Sequence, residues 1–242
     1  MRQALTVTIL CCASFVAAVV VAAYTFKYRN RADDMIVVTG LAKQDFDSDL
    51  AVWTGRYTVH NATLKGAYDQ LKKDAETVRS FLKAKDIEDG ELSLSSAAID
   101  KEFEQIQESE RTISKFIGYQ LTQVVRVESM RIDKVETVAR DITSVIDAGV
   151  EIYSNAPEYY YTKIGDLKIE MIAQASKDGR LRAEQIARNT DGRIGPLRYS
   201  SLGVFQISRP NSNTEMSWAG SFDTSSRRKT ASVTIKLQFA AQ

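Results

Sequence analysis

The sequence contains one histidine, His60, and with it one candidate for histidine-based acid–base chemistry. Nucleophilic triads and general-base sites need such a residue together with partners that orient it. His60 falls between a predicted strand and a predicted helix, a position typical of a surface or helix-entry residue. The sequence has no Gly-rich phosphate loop and no metalloprotease motif. We therefore predict that the protein is not an enzyme and has no catalytic residues and no cofactor.

Asp45, Asp47 and Asp49 lie at alternate positions, as do the first acidic ligands of a calcium-binding loop. That loop requires glycine at its sixth position and glutamate at its twelfth, where this chain has Leu50 and Arg56. The two cysteines are neighbours in an apolar segment, too few for a zinc site or a disulfide framework. We predict no metal site.

Composition and charge exclude a further class of function. The 242 residues are 44% hydrophobic and 26% charged, which is typical of a globular protein, and 32 basic side chains nearly balance 31 acidic ones. A nucleic-acid-binding protein normally carries a strongly basic face, so we predict no nucleic-acid partner. The charge is uneven along the chain, because no charged residue lies between Arg2 and Lys27 and every carboxylate follows them.

This uncharged run predicts a transmembrane anchor over residues 3–27, in contact with the lipid bilayer. As a helix it would be about 36 Å long, enough to cross a bilayer core, and Tyr24, Phe26 and Tyr28 would form an aromatic belt at its end. A cleaved signal peptide ending near Val21–Ala23 is the alternative, although its apolar core is usually only about 7–15 residues long. The excess of basic residues after the run would by itself place the body in the cytoplasm.

Beyond the anchor, alternating strand and helix patterns predict an α+β domain over residues 35–240. The predicted strands are Met35–Gly40, Asp49–Val59, Glu91–Ile99, Gly118–Met130, Val150–Ser154, Ile194–Ser208 and Ala231–Ala240, and the predicted helices are Asn61–Lys85, Asp133–Ala148 and Ile164–Asn189. The acidic stretch Asp100–Ser114 is predicted as helix or loop with a solvated surface. We expect antiparallel sheets with packed helices, in two loosely similar halves over residues 35–115 and 116–240.

Small residues recur every four positions in the third predicted helix, at Ala175, Gly179, Ala183 and Ala187. Such a stripe allows another backbone to approach closely. Its partner is either a sheet of the same subunit, the usual role of a buried helix stripe, or a second subunit. On the second interpretation, Ala175, Gly179 and Ala183 are candidate oligomer contacts.

The polar segment Arg209–Lys229 exceeds the usual length of a hairpin loop and carries Met216, Trp218 and Phe222. Long loops are often functional, and a tryptophan in one is typical of an anchor for a partner. The alternative is a tryptophan folded back onto its own sheet. These three residues are further candidate oligomer contacts.

The order and spacing of several motifs resemble the bacterial SIMPL-domain family across nearly all of Ile36–Phe239. The motifs that carry the resemblance are Val37–Ala42, Ser48–Trp53, Gly118–Gln123, Ala175–Ala187, Gly195–Leu197 and Gly203–Ile207. Gly179 departs from the family pattern, which typically has alanine there, and this departure could loosen the helix.

The resemblance implies an α+β fold, assembly into ring-like or hollow oligomers, and an envelope or periplasmic location, in some members linked to stress tolerance. It implies no catalytic residues. Because the implied location contradicts the charge bias at the anchor, we follow the family and expect a body in the periplasm, held at the inner membrane.

Two functions follow as expectations. The first is a membrane-anchored homo-oligomer with a structural role in the cell envelope. The second is a binding module that holds a peptide, lipid or small ligand in a pocket between the halves, with Tyr159, Tyr160 and Tyr161 beside Pro157 as wall residues.

Overall fold

A computed structural model describes residues 14–25, 35–108, 111–212 and 220–242 of the chain. Within these ranges the fold is α+β, with two sheets and four helices. The α+β class expected from the sequence is confirmed.

The elements follow one another along the chain in a mixed order. The strands are β1 (Met35–Asp47), β2 (Leu50–Asn61), β3 (Leu92–Leu94), β4 (Ala98–Glu108), β5 (Arg111–Ser129), β6 (Ile152–Ser154), β7 (Glu158–Tyr160), β8 (Ile194–Leu202), β9 (Gln206–Ser208), β10 (Ser221–Phe222) and β11 (Arg228–Ala241). The helices are α1 (14–25), α2 (Leu64–Ala84), α3 (Ile132–Asp141), which continues as a 3-10 helix over Ile142–Ala148, and α4 (Ile164–Asn189).

The first sheet, which we call the terminal sheet, joins the two ends of the body. Its central strand β11 pairs antiparallel with β1 from Met35↔Ala240 to Asp47↔Arg228. On its other side β11 pairs antiparallel with β8 and β9, and β10 pairs parallel with β9. Helix α4 packs on β1 and β11.

The second sheet, which we call the central sheet, is built from β2–β7. Strands β2 and β5 pair antiparallel from Ala51↔Ser129 to Asn61↔Tyr119. Strands β3 and β4 flank β5, whereas β6 and β7 flank β2. Helices α2 and α3 pack on β2 and β5, over a core that includes the fully buried side chains of Trp53 and Tyr57.

Local patterns explain why these elements form where they do. Thr63 is the N-cap of α2, and its side chain accepts a hydrogen bond from the Gly66 N–H at 3.2 Å. Strand β11 alternates as expected. Its inward residues are buried and are Ala231, Val233, Ile235, Leu237 and Phe239. In α2 the apolar side chains of Leu71, Val78 and Leu82 are buried, whereas Tyr68 nearer its start is 57% exposed.

The helix or loop predicted over Asp100–Ser114 is wrong, because the described residues of this stretch lie in the antiparallel pair of β4 and β5. Acidic residues in β4 hide a cross-strand pattern in which Phe103 faces Phe116 and Ile106 faces Ile113. Opposed side chains of this kind stabilise a two-stranded ribbon, and they become visible only when both strands are considered together.

The boundary predicted near residue 115 falls inside β5. The terminal sheet takes its strands from both ends of the body, while the central sheet takes β2–β7 from the middle. The two sheets therefore do not correspond to residues 35–115 and 116–240.

Part of the predicted anchor over residues 3–27 is described. Residues 14–25 form α1, whereas the remaining residues of that prediction lie outside the described ranges. In the part of the chain that the structure describes, no helix is both long and apolar enough to cross a membrane.

Candidate functional site

A β-ribbon extends the central sheet beyond the end of β2. Strand β2 ends at Asn61, opposite Tyr119 of β5, so residues of β5 before Tyr119 pair with β4 alone among the described strands. We call the two strand segments of this ribbon, residues 102–108 and 111–118, the arm. An isolated two-stranded ribbon is at best marginally stable in water, which makes contacts along the arm important.

Large apolar side chains on both faces of the arm remain in contact with solvent. Five of them are between 38 and 51% exposed, and they are Phe103, Ile106, Ile113, Phe116 and Ile117. Phe103 and Phe116 pair on one face, and Ile106 and Ile113 pair on the other, because successive residues of a strand point to opposite faces. The rings of Phe103 and Phe116 lie 5.8 Å apart edge to face, and Phe116 meets Tyr119 at 5.2 Å. Single exposed apolar residues are common, but a cluster such as this aromatic one is typical of an interaction surface.

The base of the arm includes the histidine considered above. His60 lies at the end of β2, and its Nδ1 is 2.8 Å from Oε1 of Glu102. The interpretation as a surface residue before a helix agrees with its position and its exposure. The contact with Glu102 ties the end of β2 to the first residue of the arm, which is a structural role.

A second candidate surface lies where α4 crosses the open edge of β1. An apolar groove of about 630 Å³ runs between these elements. Its main lining residues are Val37 and Thr39 from β1 and Leu181, Arg182, Gln185 and Ile186 from α4. Strand β11 pairs with one edge of β1, and no described strand pairs with the other.

Asp178 of α4 caps part of this open edge. Its Oδ2 accepts the Leu41 N–H at 2.8 Å and a hydrogen bond from Arg182, also at 2.8 Å. The hydrogen bond from the Leu41 N–H, followed by Arg182, holds the pKa of the Asp178 carboxyl below its usual range. The edge at Val37 and Thr39 has no such cap among the described side chains.

The small-residue stripe of α4 is buried within the subunit. Ala175, Gly179, Ala183 and Ala187 are all buried on the face of α4 that packs on β1 and β11. A Cβ built on Gly40 would lie 2.1 Å from the Ala175 carbonyl oxygen, so the two backbones nearly touch. Packing on a sheet of the same subunit is therefore the correct interpretation, and Ala175, Gly179 and Ala183 are not available as oligomer contacts.

The candidate oligomer contacts predicted in the segment Arg209–Lys229 fall into two groups. Met216 and Trp218 lie outside the described residues. Phe222 lies in β10, is half exposed and stacks on Tyr160 with ring centroids 6.4 Å apart. Phe222 therefore belongs to the junction between the two sheets, and its role as an oligomer contact stays a prediction.

Two aspartates of the calcium-like sequence, Asp45 and Asp49, hold neighbouring segments of the chain together. Asp45 accepts hydrogen bonds from Thr230 at 2.6 Å and from Arg228 at 3.4 Å. Asp49 accepts the N–H and the hydroxyl of Thr162, both at 2.7 Å. Among the described residues, no group of three or more His, Cys, Asp or Glu side chains is arranged to hold a metal ion.

The three neighbouring tyrosines do not line one pocket. Tyr159 lines an open groove of about 520 Å³ beside Pro157, and its hydroxyl donates to Glu136 Oε1 at 3.0 Å. Burial, followed by this hydrogen bond, raises the pKa of Tyr159 to about 12. Tyr161 packs on Phe46 instead, with ring centroids 5.0 Å apart.

Sequence reasoning missed the arm and one buried cation. The pairs Phe103/Phe116 and Ile106/Ile113 are placed symmetrically in the sequence about positions 109 and 110, and this symmetry was the available signal. Lys229 continues the inward positions of β11, is buried, and donates a hydrogen bond to the Asp223 carbonyl oxygen. Burial lowers the pKa of the Lys229 ammonium group.

Comparisons with known proteins place the chain in a family. Residues 36–239 match the SIMPL family, described as "Protein of unknown function (DUF541)". No curated protein matches the chain. One solved structure, a hydantoinase/carbamoylase family amidase from Burkholderia ambifaria, is 16% identical with a TM-score of 0.23. That match covers 45% of this chain and 28% of the amidase chain, and a likeness this low carries no argument.

The family match spans both sheets, from β1 to β11, and includes every motif on which the resemblance was based. The expectation drawn from those motifs is confirmed, and the chain belongs to the SIMPL family.

Proposed function

We propose that this protein is a membrane-anchored, non-enzymatic subunit that self-associates into a ring-like or hollow assembly in the bacterial cell envelope. Its body would lie in the periplasm, and its role would be structural, as part of the response to envelope stress. The observation that carries the proposal is the arm, a ribbon whose five large apolar side chains remain about half exposed.

Burial of these side chains in a contact between subunits would be favourable. Complete burial of a large apolar side chain is worth about 1.5–3 kcal/mol relative to full exposure, and roughly half of that is still available at each of the five positions. The ribbon itself would also be stabilised by a partner, since two strands alone are marginal in water.

The predicted anchor over residues 3–27 supports assembly in a second way. In α1, Phe15, Val16 and Val21 are exposed apolar residues, as a helix that contacts lipid requires. Anchored copies are confined to two dimensions, and this raises the effective concentration at which even weak body contacts form.

The direct experiment measures the mass of the full-length protein in detergent by size-exclusion chromatography with light scattering. We expect a discrete oligomer, and electron microscopy of the same fraction should show a closed ring or cage. A monomer at all accessible concentrations would contradict the proposal. For location, alkaline phosphatase fused after Gln242 should be active only if the body is in the periplasm.

A second candidate function is a periplasmic binding module, supported by the groove beside Tyr159 and Pro157. Native mass spectrometry of the purified protein should then detect a co-purifying peptide, lipid or small molecule. Repeated spectra of the bare protein would count against this function. A ligand that is lost from Tyr159→Ala and retained by Tyr68→Ala would place it in the groove.

A further inference from the structure

We propose that the arm of one copy docks along the open edge of β1 in the next copy, so that β4 adds a strand to that copy's terminal sheet. This inference rests on the proposed self-association and specifies the contact that produces it. Strand addition of this kind supplies backbone hydrogen bonds, while alternate side chains determine which strand fits.

The open edge of β1 has backbone groups that an added strand could pair with. The Leu41 N–H donates a hydrogen bond to Asp178 of α4, which shows that it points away from β11. Residues two apart in a strand present their N–H and C=O groups in the same direction, so Thr39 and Val37 also direct theirs to the open edge. An unpaired edge is a template for another strand, and beyond the Asp178 cap this edge is accessible.

The two faces of β4 match the two sides of this edge. Odd-numbered positions include Ile99 and Phe103, which are both exposed, and the exposed Lys101 between them. If this face lies on the helix side, Ile99 and Phe103 enter the groove beside Leu181 and Ile186, which are also exposed and apolar.

Over its first half the even-numbered face of β4 is acidic, with Asp100, Glu102 and Glu104 at successive positions before Ile106. In the docked strand this face lies on the side of the terminal sheet away from α4. There, β1 and β11 expose Lys43 and Lys236. The strand orientation that buries Phe103 is thus also the one that brings opposite charges together.

The same acidic face argues against an arm that pairs with another arm. A two-fold antiparallel pairing of β4 with its copy sets residues of the same parity opposite each other on one face. In the register centred on Phe103, Glu102 faces Glu104. In the register centred on Glu102, Asp100 faces Glu104, and in the one centred on Glu104 this residue faces its own copy. Like charges directly opposite each other are destabilising.

Each copy therefore carries one donor, the arm, and one acceptor, the β1 edge, on different sheets. A contact between two different surfaces is heterologous, and it generates a closed ring when the rotation between copies closes. The partner that fits the arm is a second copy of this chain, which accepts an arm with one surface and donates its own with another.

Charge reversal tests this contact in the full-length protein in detergent. Lys43→Glu combined with Lys236→Glu should raise the concentration needed for assembly at least about tenfold, and adding Asp100→Lys and Glu104→Lys should restore it. The matched control is Lys65→Glu with Lys72→Glu, two exposed lysines on α2, which should assemble like the wild type. Phe103→Ser should weaken assembly as much as the first pair.

The outcomes separate this inference from the proposal beneath it. A wild-type monomer would overturn the self-association and this contact together. A wild-type oligomer that survives both the lysine reversals and Phe103→Ser would overturn the contact alone. The lysine reversals could also abolish assembly while the variant with all four substitutions fails to recover it. If both variants keep the wild-type circular dichroism, this result would overturn the strand pairing.

Discussion

The two helix–sheet contacts of this protein are built in opposite ways. Where α4 crosses the terminal sheet, the buried positions are small, and Gly40 meets the backbone at Ala175 and Gly179 with no space for a Cβ. Where α2 covers the central sheet, large side chains fill the space, among them the fully buried Trp53 and Tyr57.

The two helix–sheet contacts should therefore tolerate opposite changes in side-chain size. A contact between backbones loses stability when atoms are added, because neither main chain can retreat. A contact between large side chains loses stability when atoms are removed, because the surroundings fill the resulting cavity only in part. Substitutions in the two contacts test this contrast.

Trp53→Ala should lower the free energy of unfolding by about 3–5 kcal/mol. Trp53 is fully buried in the central sheet, and its Nε1 donates to Ser154 Oγ at 2.9 Å, so the substitution removes both packing and a hydrogen bond. Urea denaturation of the full-length protein in detergent measures the change. Tyr68→Ala, at an exposed aromatic residue of α2, is the control and should change stability by less than about 1 kcal/mol.

Gly40→Ala should cost about 3 kcal/mol, at the upper end of the usual range for overpacking, since the new Cβ would lie 2.1 Å from the Ala175 carbonyl oxygen. Gly165→Ala in α4 is the matched control, because a Cβ there meets no atom within 4 Å. It should be neutral or slightly stabilising through helix propensity. Equal denaturation midpoints for the two variants would disprove the backbone contact.

Gly179→Ala introduces the residue that the family typically carries, and it should change stability by no more than about 1 kcal/mol. The new Cβ would lie 2.7 Å from Leu237 Cδ1 and 3.3 Å from Gly40 Cα, so a flexible side-chain end has to move while helix propensity improves. In a Leu237→Val background, which removes that end, Gly179→Ala should become stabilising. A cost as large as that of Gly40→Ala would refute this explanation.

The smallest effect concerns one carboxyl group in each contact. Burial raises the pKa of Asp74 on α2, so its charged form weakens the folded state, and stability falls as pH rises through the raised pKa. The pKa of Asp178 on α4 is lowered, so its contribution is present at neutral pH and is lost as pH falls through the lowered pKa.

At neutral pH we therefore expect Asp74→Asn to be as stable as the wild type or more stable, and Asp178→Asn to be less stable. Both differences should shrink towards strongly acid pH, where the wild-type carboxyls are protonated. Thermal unfolding between pH 7 and pH 3 measures them, and changes of the same sign in both variants would contradict the assignment.

Elements with a strong local pattern were predictable from the sequence. The bounds of α4, Ile164–Asn189, agree with the prediction, because its buried positions repeat at the helical period. The alternation in β11 was equally clear. Local periodicity depends only on neighbouring residues, so a single sequence is sufficient to recognise it.

The candidate site was predictable only in part. The buried stripe of α4 was recognised as a contact with the sheet of the same subunit or with another subunit, and only the tertiary structure decided between these. The arm was missed, because its apolar residues are interrupted by carboxylates and pair between two different strands. For Met216 and Trp218, which lie outside the described residues, the role as oligomer contacts stays a prediction.

By itself, the sequence determined the family, the α+β class and most helices and strands of the body, since these depend on motif order and short-range periodicity. Only the tertiary structure decided that β1 pairs with β11 across the length of the body, that the middle of the chain forms its own sheet, and that an apolar ribbon extends from it. These features depend on backbone hydrogen bonds between distant segments, and a strand's own residues do not specify which edge it will pair with.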